Sequence, residues 1–167
     1  MMGRVLLWIF LLDLNLTRGL KLLRSFLLWS FAMTVPFQLF NPEGLYDPSA
    51  NAYSHIAEVK AGTRLLFLAG QGGEDLSGAL SPVFAEQARQ ALANVRTALA
   101  ARGAGIGDVF KLTLLIVDHS PQRLRDWVKV ADEVWGDRMK PACTLIPVPR
   151  LALDGMLVEV EAVAVGQ

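Results

Sequence analysis

The sequence predicts an α+β fold in which one mostly antiparallel or mixed sheet is covered on one face by two helices. Three observations predict it. Two segments have apolar residues at helical spacing, five short apolar runs have the length of strands, and their order along the chain is ββαβαββ. Two helices can cover only one face of such a sheet, so we expect two packed layers.

The first half of this pattern contains two strands and a long helix. Strands are predicted over residues 53–60 and 64–69, and the second strand ends at the glycine-rich run 70–73. The Ser81-Pro82 pair predicts a helix start, with serine at the cap and proline in the first turn. The helix ends near Gly103 and has one apolar stripe, made of Phe84, Ala88, Ala91, Leu92, Val95 and Leu99.

The second half contains a strand, a helix and two further strands. The strand over residues 108–117 is the most strongly predicted of the chain, and Ser120-Pro121 starts the second helix as Ser81-Pro82 starts the first. Strands over 143–148 and 156–165 complete the sheet. The apolar stripe of the second helix consists of Leu124, Trp127, Val128, Ala131, Val134 and Trp135.

Two acidic residues lie inside the last apolar strand. Glu159 and Glu161 alternate with Val158, Val160 and Ala162, so both carboxylates lie on the same face of the strand. Neighbours on one face of a strand are roughly 6.5–7 Å apart, which is close enough for the two charges to interact. A strand of this kind either exposes that face to water or contributes its acids to a site.

Charge is distributed unevenly along the chain, although its formal net charge is zero. Residues 1–33 contain four of the 16 basic residues and one of the 16 acidic residues, which leaves 12 and 15 in residues 34–167, a net charge of −3. A nucleic-acid-binding domain needs a basic face, so we expect no nucleic-acid partner. The single cysteine excludes an internal disulfide and favours a reducing, cytoplasmic location.

Residues 1–33 form an apolar N-terminal extension, and the predicted domain covers residues 34–167. Charged residues interrupt the apolar runs of the extension before the length of about 20 residues that a membrane-spanning helix needs. Three interpretations stay open: translation starts at Met33, the segment is a membrane-surface or signal-like sequence, or it is an accessory helix. A membrane partner is expected only if the extension belongs to the native protein.

An ordered set of short motifs resembles the RidA (YjgF) family of reactive-intermediate deaminases. The motifs are the strand 65–69 with Gly70-Gln71, the helix segment from Glu86-Gln87-Ala88 to Asn94-Val95, Pro141-Ala142-Cys143-Thr144, and Val158-Glu159-Val160-Glu161-Ala162. They follow the family's order over about residues 40–165. The resemblance implies a chorismate-mutase-like homotrimer, with its sheets facing inward and a small-molecule cleft at each subunit boundary.

The resemblance also implies a chemistry, which is the hydrolysis of imines or enamines with release of ammonia. Glu159 matches the cleft acid that positions or activates water in the family, and it is the candidate catalytic residue. Cys143 stands where the working members carry an arginine that clamps a substrate carboxylate, and a thiol has neither that charge nor its fork of donors. The candidate substrate-binding residues are Tyr53, Gly70, Gln71, Cys143 and Thr144.

The absence of this arginine leaves two functions open. The protein is either a divergent hydrolase, whose substrate lacks a carboxylate or is anchored otherwise, or a non-catalytic ligand-binding or protein-stabilising trimer. We expect no metal and no cofactor, because His55 and His119 are far apart in the sequence and no cluster of ligating residues has metal-binding spacing.

Overall fold

The computed structural model describes residues 36–166, which contain six strands and two helices. In chain order these are β1 (Phe37–Phe40), β2 (Ile56–Val59), β3 (Leu65–Gly72), α1 (Phe84–Ala100), β4 (Val109–Val117), α2 (Pro121–Trp135), β5 (Ala142–Val148) and β6 (Val158–Val165). The order βββαβαββ adds one strand, β1, to the predicted pattern. The extension predicted over residues 1–33 lies outside the described residues.

The strands form a two-stranded and a four-stranded sheet. β1 and β2 pair antiparallel along their whole length, from Phe37 opposite Val59 to Phe40 opposite Ile56. The larger sheet has the order β3-β6-β4-β5, in which β6 is antiparallel to both neighbours and β4 is parallel to β5. The two helices and this mixed sheet confirm the α+β class, with the first strand pair as a separate small sheet.

The core lies between the two helices and one face of the larger sheet. All six residues of the predicted α1 stripe are buried, and α2 contributes Trp127, Val130, Ala131 and Trp135. Every second residue of β6 is buried against this layer, from Val158 to Ala164. The helical spacing of the helices and the alternation of β6 therefore identified most of the core from the sequence.

The helix ends follow the local chemistry, with one difference from the prediction. Ser120 caps α2 as predicted, since its hydroxyl accepts a hydrogen bond from the Arg123 amide at 3.3 Å. In contrast, α1 begins at Phe84, because the Ser81 hydroxyl accepts from the Val83 amide and donates to Glu86 in a turn ahead of the helix. Gly103 ends the helix region at φ +72°.

Neither α1 nor α2 covers the opposite face of the larger sheet. Apolar side chains are exposed there, and Phe67 of β3 is 77 % exposed. A row of paired residues runs across this face from Glu161 of β6 through Thr113 of β4 to Thr144 of β5. This surface is called the helix-free face below, and it carries both acids of β6.

Candidate functional site

Glu159 and Glu161 point away from the helices, as the alternation predicts. The alternate residues of β6 are buried, whereas Glu159 is half-buried and Glu161 is exposed. Glu159 lies opposite Leu115 on β4 and Gly72 on β3, so it belongs to an interior strand of the sheet. Its carboxylate therefore stands on the helix-free face, flanked by other strands on both sides.

Gly70 leaves the space that the Glu159 carboxylate occupies. A β-bulge interrupts the β3–β6 pairing between Leu68 and Gln71, so Gly70 departs from regular register. A β-carbon added to Gly70 would lie 1.8 Å from Oε1 and 2.5 Å from Cδ of Glu159. Only glycine is compatible with this position of the carboxylate. The structure thus brings two of the predicted site residues together.

Gln71 stabilises the bulge itself. Its side-chain amide donates to the carbonyl oxygens of Ala69 at 3.1 Å and Gly70 at 3.2 Å. The residue also lines a second pocket, between β3 and the end of α1, which contains Ala98 and Arg102. Gln71 follows Gly70 in the sequence, and its side-chain amide is hydrogen-bonded to the backbone rather than directed at a cleft.

A cavity of about 430 Å³ lies at the other edge of the sheet, beside β5. Three predicted binding residues line it together with residues from β4, α2 and the loop before β2: the complete lining is Asn51, Tyr53, Leu114, His119, Leu124, Trp127, Cys143, Thr144 and Leu145. Its volume falls within the range of small-molecule sites. Glu159, Gly70 and Gln71 do not belong to the lining.

Hydrogen bonds of Ser54 hold Tyr53 at this cavity. The Ser54 hydroxyl donates to the Lys140 carbonyl at 2.6 Å, and the Ser54 amide donates to the Pro141 carbonyl at 3.1 Å. Ser54 also forms a parallel bridge with Ala142 at the start of β5. These contacts fix the segment before β2 against the edge strand, and Tyr53 lies in that segment.

Burial sets the protonation state of the Cys143 thiol. It raises the pKa of Cys143 to about 11, and the charge of Lys111 lowers it by less. The thiol is therefore protonated at neutral pH and a poor nucleophile. Lys111 is engaged nearby, where its ammonium group donates to the Thr144 hydroxyl at 2.8 Å.

Glu159 and Cys143 lie on opposite faces of the sheet. Cys143 is paired with Leu112, which is buried, and it packs against the core on the helix side. Glu159 stands on the helix-free face. Within one chain, the catalytic candidate and the position of the family's arginine therefore do not face a common space.

His119 was not predicted as a binding residue. It lies two residues after the end of β4, lines the cavity, and has a buried Nδ1 atom with no hydrogen-bond partner among the described residues. Trp127, which was assigned to the core from its helical spacing, also lines the cavity although it is only 2 % exposed. A histidine between the end of a strand and the Ser120 cap of the next helix is the signal in the sequence that could have identified this position.

Gln87 is a second residue whose structural role the sequence did not reveal. Its fully buried side chain donates to the carbonyl oxygens of Ser81 at 2.6 Å and Gly155 at 2.8 Å, and it accepts from the Leu157 amide at 2.8 Å. These three bonds tie the start of α1 to the loop that leads into β6. They therefore help to fix the position of Glu159 in β6.

Two features that residues 36–166 lack bear on other classes of function. No group of three or more His, Cys, Asp or Glu side chains in that range is placed to hold a metal ion. No helix in the same range is long and apolar enough to cross a membrane.

Comparison with known proteins identifies the family. A family model described as endoribonuclease L-PSP matches residues 46–166, which is well over half of the chain. The chain belongs to this family, which is the RidA (YjgF) family.

Relatives agree with this assignment in sequence and in fold. A RutC family protein of Pyrococcus horikoshii is 35% identical over 115 residues, which covers 64% of this chain and 82% of the relative. The crystal structure of YyfB from Yersinia pestis, a Rid family protein of unknown function, is 32% identical with a TM-score of 0.73, and the alignment covers 78% of this chain and 98% of that one. A YjgF family protein of Mycobacterium tuberculosis is 26% identical with a TM-score of 0.53, with 77% and 98% covered.

Within the RidA family, the chain combines a matched acid with a changed binding residue. Glu159 stands in the Val-Glu-Val-Glu-Ala motif of β6, whereas position 143 holds cysteine rather than the arginine that the resemblance implies. The cavity beside β5 has neither lysine nor arginine in its lining. The departure is therefore a property of the whole cavity wall and not of one side chain alone.

Proposed function

We propose that the protein is a RidA-type homotrimer that hydrolyses imines or enamines, with release of ammonia, in a cleft between subunits. The observation that carries this proposal is the position of Glu159, whose carboxylate is held on the helix-free face in the space left by Gly70. A half-buried carboxylate on this face is suited to accept a proton from water.

Exposure of the helix-free face supports assembly. Phe67 and Ile146 are large apolar side chains exposed on its two edge strands, and exposed apolar surface of this kind marks association sites. The opposite placement of Glu159 and Cys143 in one chain also favours a composite cleft, because only a second subunit could bring a Glu159 carboxylate to the cavity beside β5. The family resemblance suggests three subunits.

The proposed reaction uses one water molecule and one carboxylate. Glu159 accepts a proton from water while the water oxygen attacks the carbon of the C=N bond, and the C–N bond of the resulting adduct then breaks. The nitrogen gains two protons before it leaves as ammonia, one returned by Glu159 and one from the hydroxyl group of the adduct, and the carbon becomes a carbonyl group. An enamine enters the same route after it tautomerises to the imine.

Cys143 restricts the substrates of this reaction. Relatives with arginine at this position clamp a carboxylate through a bidentate pair, whose loss corresponds to about 2–3 kcal/mol, or roughly 30- to 150-fold in rate. We therefore expect weak activity on imines of ordinary amino acids. Substrates that lack a carboxylate, or that are anchored otherwise, are expected to react better.

Substitution of the two acids of β6 tests the proposal. Glu159→Gln keeps the size of the side chain and removes its basicity, so it should abolish ammonia release from an imine generated in the assay, with assembly unchanged. Glu161→Gln is the matched control on the same face and should alter stability or assembly while turnover is largely retained. Full activity of Glu159→Gln would refute the hydrolase assignment.

A non-catalytic ligand-binding or protein-stabilising trimer is the second candidate. The absence of a cationic residue from the cavity wall favours it, since the usual substrate anchor is missing. In that case the parent protein shows no turnover on any imine, and Glu159→Gln tightens or leaves unchanged the binding of ligands. Cleavage of RNA is disfavoured by the net charge of −3 over residues 34–167.

A further inference from the structure

The wall of the cavity beside β5 is largely apolar and well formed. Leu114 is fully buried, Trp127 is 2 % exposed, and Leu124 and Leu145 add two further aliphatic side chains. Contact with such a wall favours apolar ligand atoms, since each buried CH₂ group contributes about 0.8 kcal/mol.

Besides the indole of Trp127, five of the nine lining residues carry a polar group, but none of the nine is a lysine, an arginine or a carboxylate. The Cys143 thiol is half-buried and protonated, and Lys111 lies outside the lining with its ammonium group bonded to Thr144. A ligand carboxylate in this space would lose its hydration without a cation to replace it, which is strongly unfavourable. The cavity therefore selects against anionic ligands.

His119 supplies one unused hydrogen-bonding group at the wall. Its Nδ1 atom is buried and has no partner in residues 36–166, and a buried polar atom of this kind destabilises the protein until it is paired. The ring torsion of histidine is soft, so a small rotation can turn this nitrogen toward a bound molecule. A single polar group on an otherwise apolar ligand would meet this requirement.

We propose that the cavity beside β5 binds a neutral, largely apolar small molecule of the size of a substituted benzene, whose single amide or carbonyl group hydrogen-bonds to His119. This inference rests on the proposed function only in taking the cavity as the ligand site of the protein. It does not require turnover, and it holds equally for a hydrolase and for a binding protein.

Two probes of the same shape and different charge test the ligand class. Binding of phenylacetamide and of phenylacetate to the full chain is measured by isothermal titration calorimetry at low ionic strength. We expect phenylacetamide to bind at least about tenfold more tightly than phenylacetate. Cys143→Arg should reverse this order, because it restores a cation at the wall.

A third probe isolates His119. The third probe is ethylbenzene, which has no polar group. His119→Phe keeps an aromatic ring and removes both nitrogens, so it should weaken the binding of phenylacetamide by about fivefold to tenfold and change the affinity for ethylbenzene by less than about twofold. Circular dichroism melting of each variant reports whether the fold is intact, and a variant that is not folded is replaced by His119→Leu. An equal loss for both probes would refute the role of His119.

Two further outcomes would overturn the proposal as a whole. One is no detectable phenylacetamide binding up to about 10 mM. The other is tighter binding of phenylacetate that is lost in Lys111→Met, which would place an anion site at Lys111 instead. The titration needs no turnover, so binding of phenylacetamide by a protein that releases no ammonia from imines would refute the proposed hydrolysis and leave the ligand class standing.

Discussion

At the scale of single residues, the Glu159 carboxylate occupies the space that a side chain at position 70 would fill, and Gly70 leaves this space empty. Gly70→Ala places a methyl group where the carboxylate lies, and the flexible end of Glu159 is the part that must move. We expect turnover to fall by about 100-fold, because a displacement of about 1 Å is enough for a loss of this size. Ammonia release from an imine substrate, together with thermal unfolding of the variant, measures this effect.

Gly105→Ala provides the control for this substitution. A β-carbon there would meet only Asp108 Oδ2, at 3.9 Å, so the fold and the activity should be unaffected. Equal activity of both variants would show that the position of Glu159 does not matter for the reaction.

The partly buried thiol of Cys143 makes the free energy of unfolding depend on pH in the alkaline range. Its pKa rises from 9.0 to about 11 on folding, so between these values the unfolded chain releases a proton that the folded chain retains. The contribution of the protonated thiol to the free energy of unfolding is fully present below pH 9 and is lost as the pH rises toward 11. The loss is about 2–3 kcal/mol for a pKa shift of two units. Urea unfolding of the parent and of Cys143→Ala at pH 8 and at pH 11 measures it.

The prediction concerns the difference in the free energy of unfolding between the parent and Cys143→Ala, because other groups titrate in the same pH range in both proteins. The free energy of unfolding of the parent relative to Cys143→Ala should fall between pH 8 and pH 11. A constant difference would mean that the thiol is not desolvated in the folded protein.

At the scale of secondary-structure elements, Gln87 links α1 to the loop before β6 through three hydrogen bonds. Gln87→Leu fits a similar volume but leaves two carbonyl groups and one amide without their partner, so we expect a loss of about 3–5 kcal/mol in the free energy of unfolding. Gln122→Leu, on the exposed side of α2, should change it by less than about 0.5 kcal/mol. Denaturant titration of both variants would contradict this account if the losses were similar.

The elements that the sequence predicted best are those in which one face is buried. The stripe of α1 and the alternation of β6 were correct because burial imposes their periods of 3.6 and 2. β1 was missed because Phe37–Phe40 has only four residues and pairs solely with β2, so no long pattern marks it. The start of α1 was placed too early because Ser81 uses its hydroxyl in a preceding turn.

At the scale of the whole molecule, the helix-free face determines assembly in our proposal. Phe67→Ser removes its most exposed large apolar side chain, and burial of such a side chain in an interface contributes about 2–3 kcal/mol per subunit. Sedimentation equilibrium should show a shift from trimer toward monomer. Leu76→Ser, in a fully exposed loop position outside the sheets, should leave the trimer intact.

The candidate site was predicted only in part, for reasons that lie in the tertiary structure. The face of Glu159 followed from strand alternation, and the role that we propose for it followed from the family motif. The cavity could not be predicted, because its wall combines residues separated by more than 90 positions, such as Asn51 and Leu145. Trp127 satisfies the helical pattern of a core residue and lines the cavity as well, and spacing alone cannot distinguish these roles.

The strand order has a consequence for the synthesis of the protein. β6 is the last of the described strands to leave the ribosome, yet it lies between β3 and β4 inside the larger sheet. At the usual rate of about 5–20 residues per second, β3 and β4 wait for several seconds with unpaired edges before their common neighbour emerges. During that interval the unpaired strand edges expose the nascent chain to aggregation. The Glu159 carboxylate arrives only with β6, the strand that joins β3 to β4.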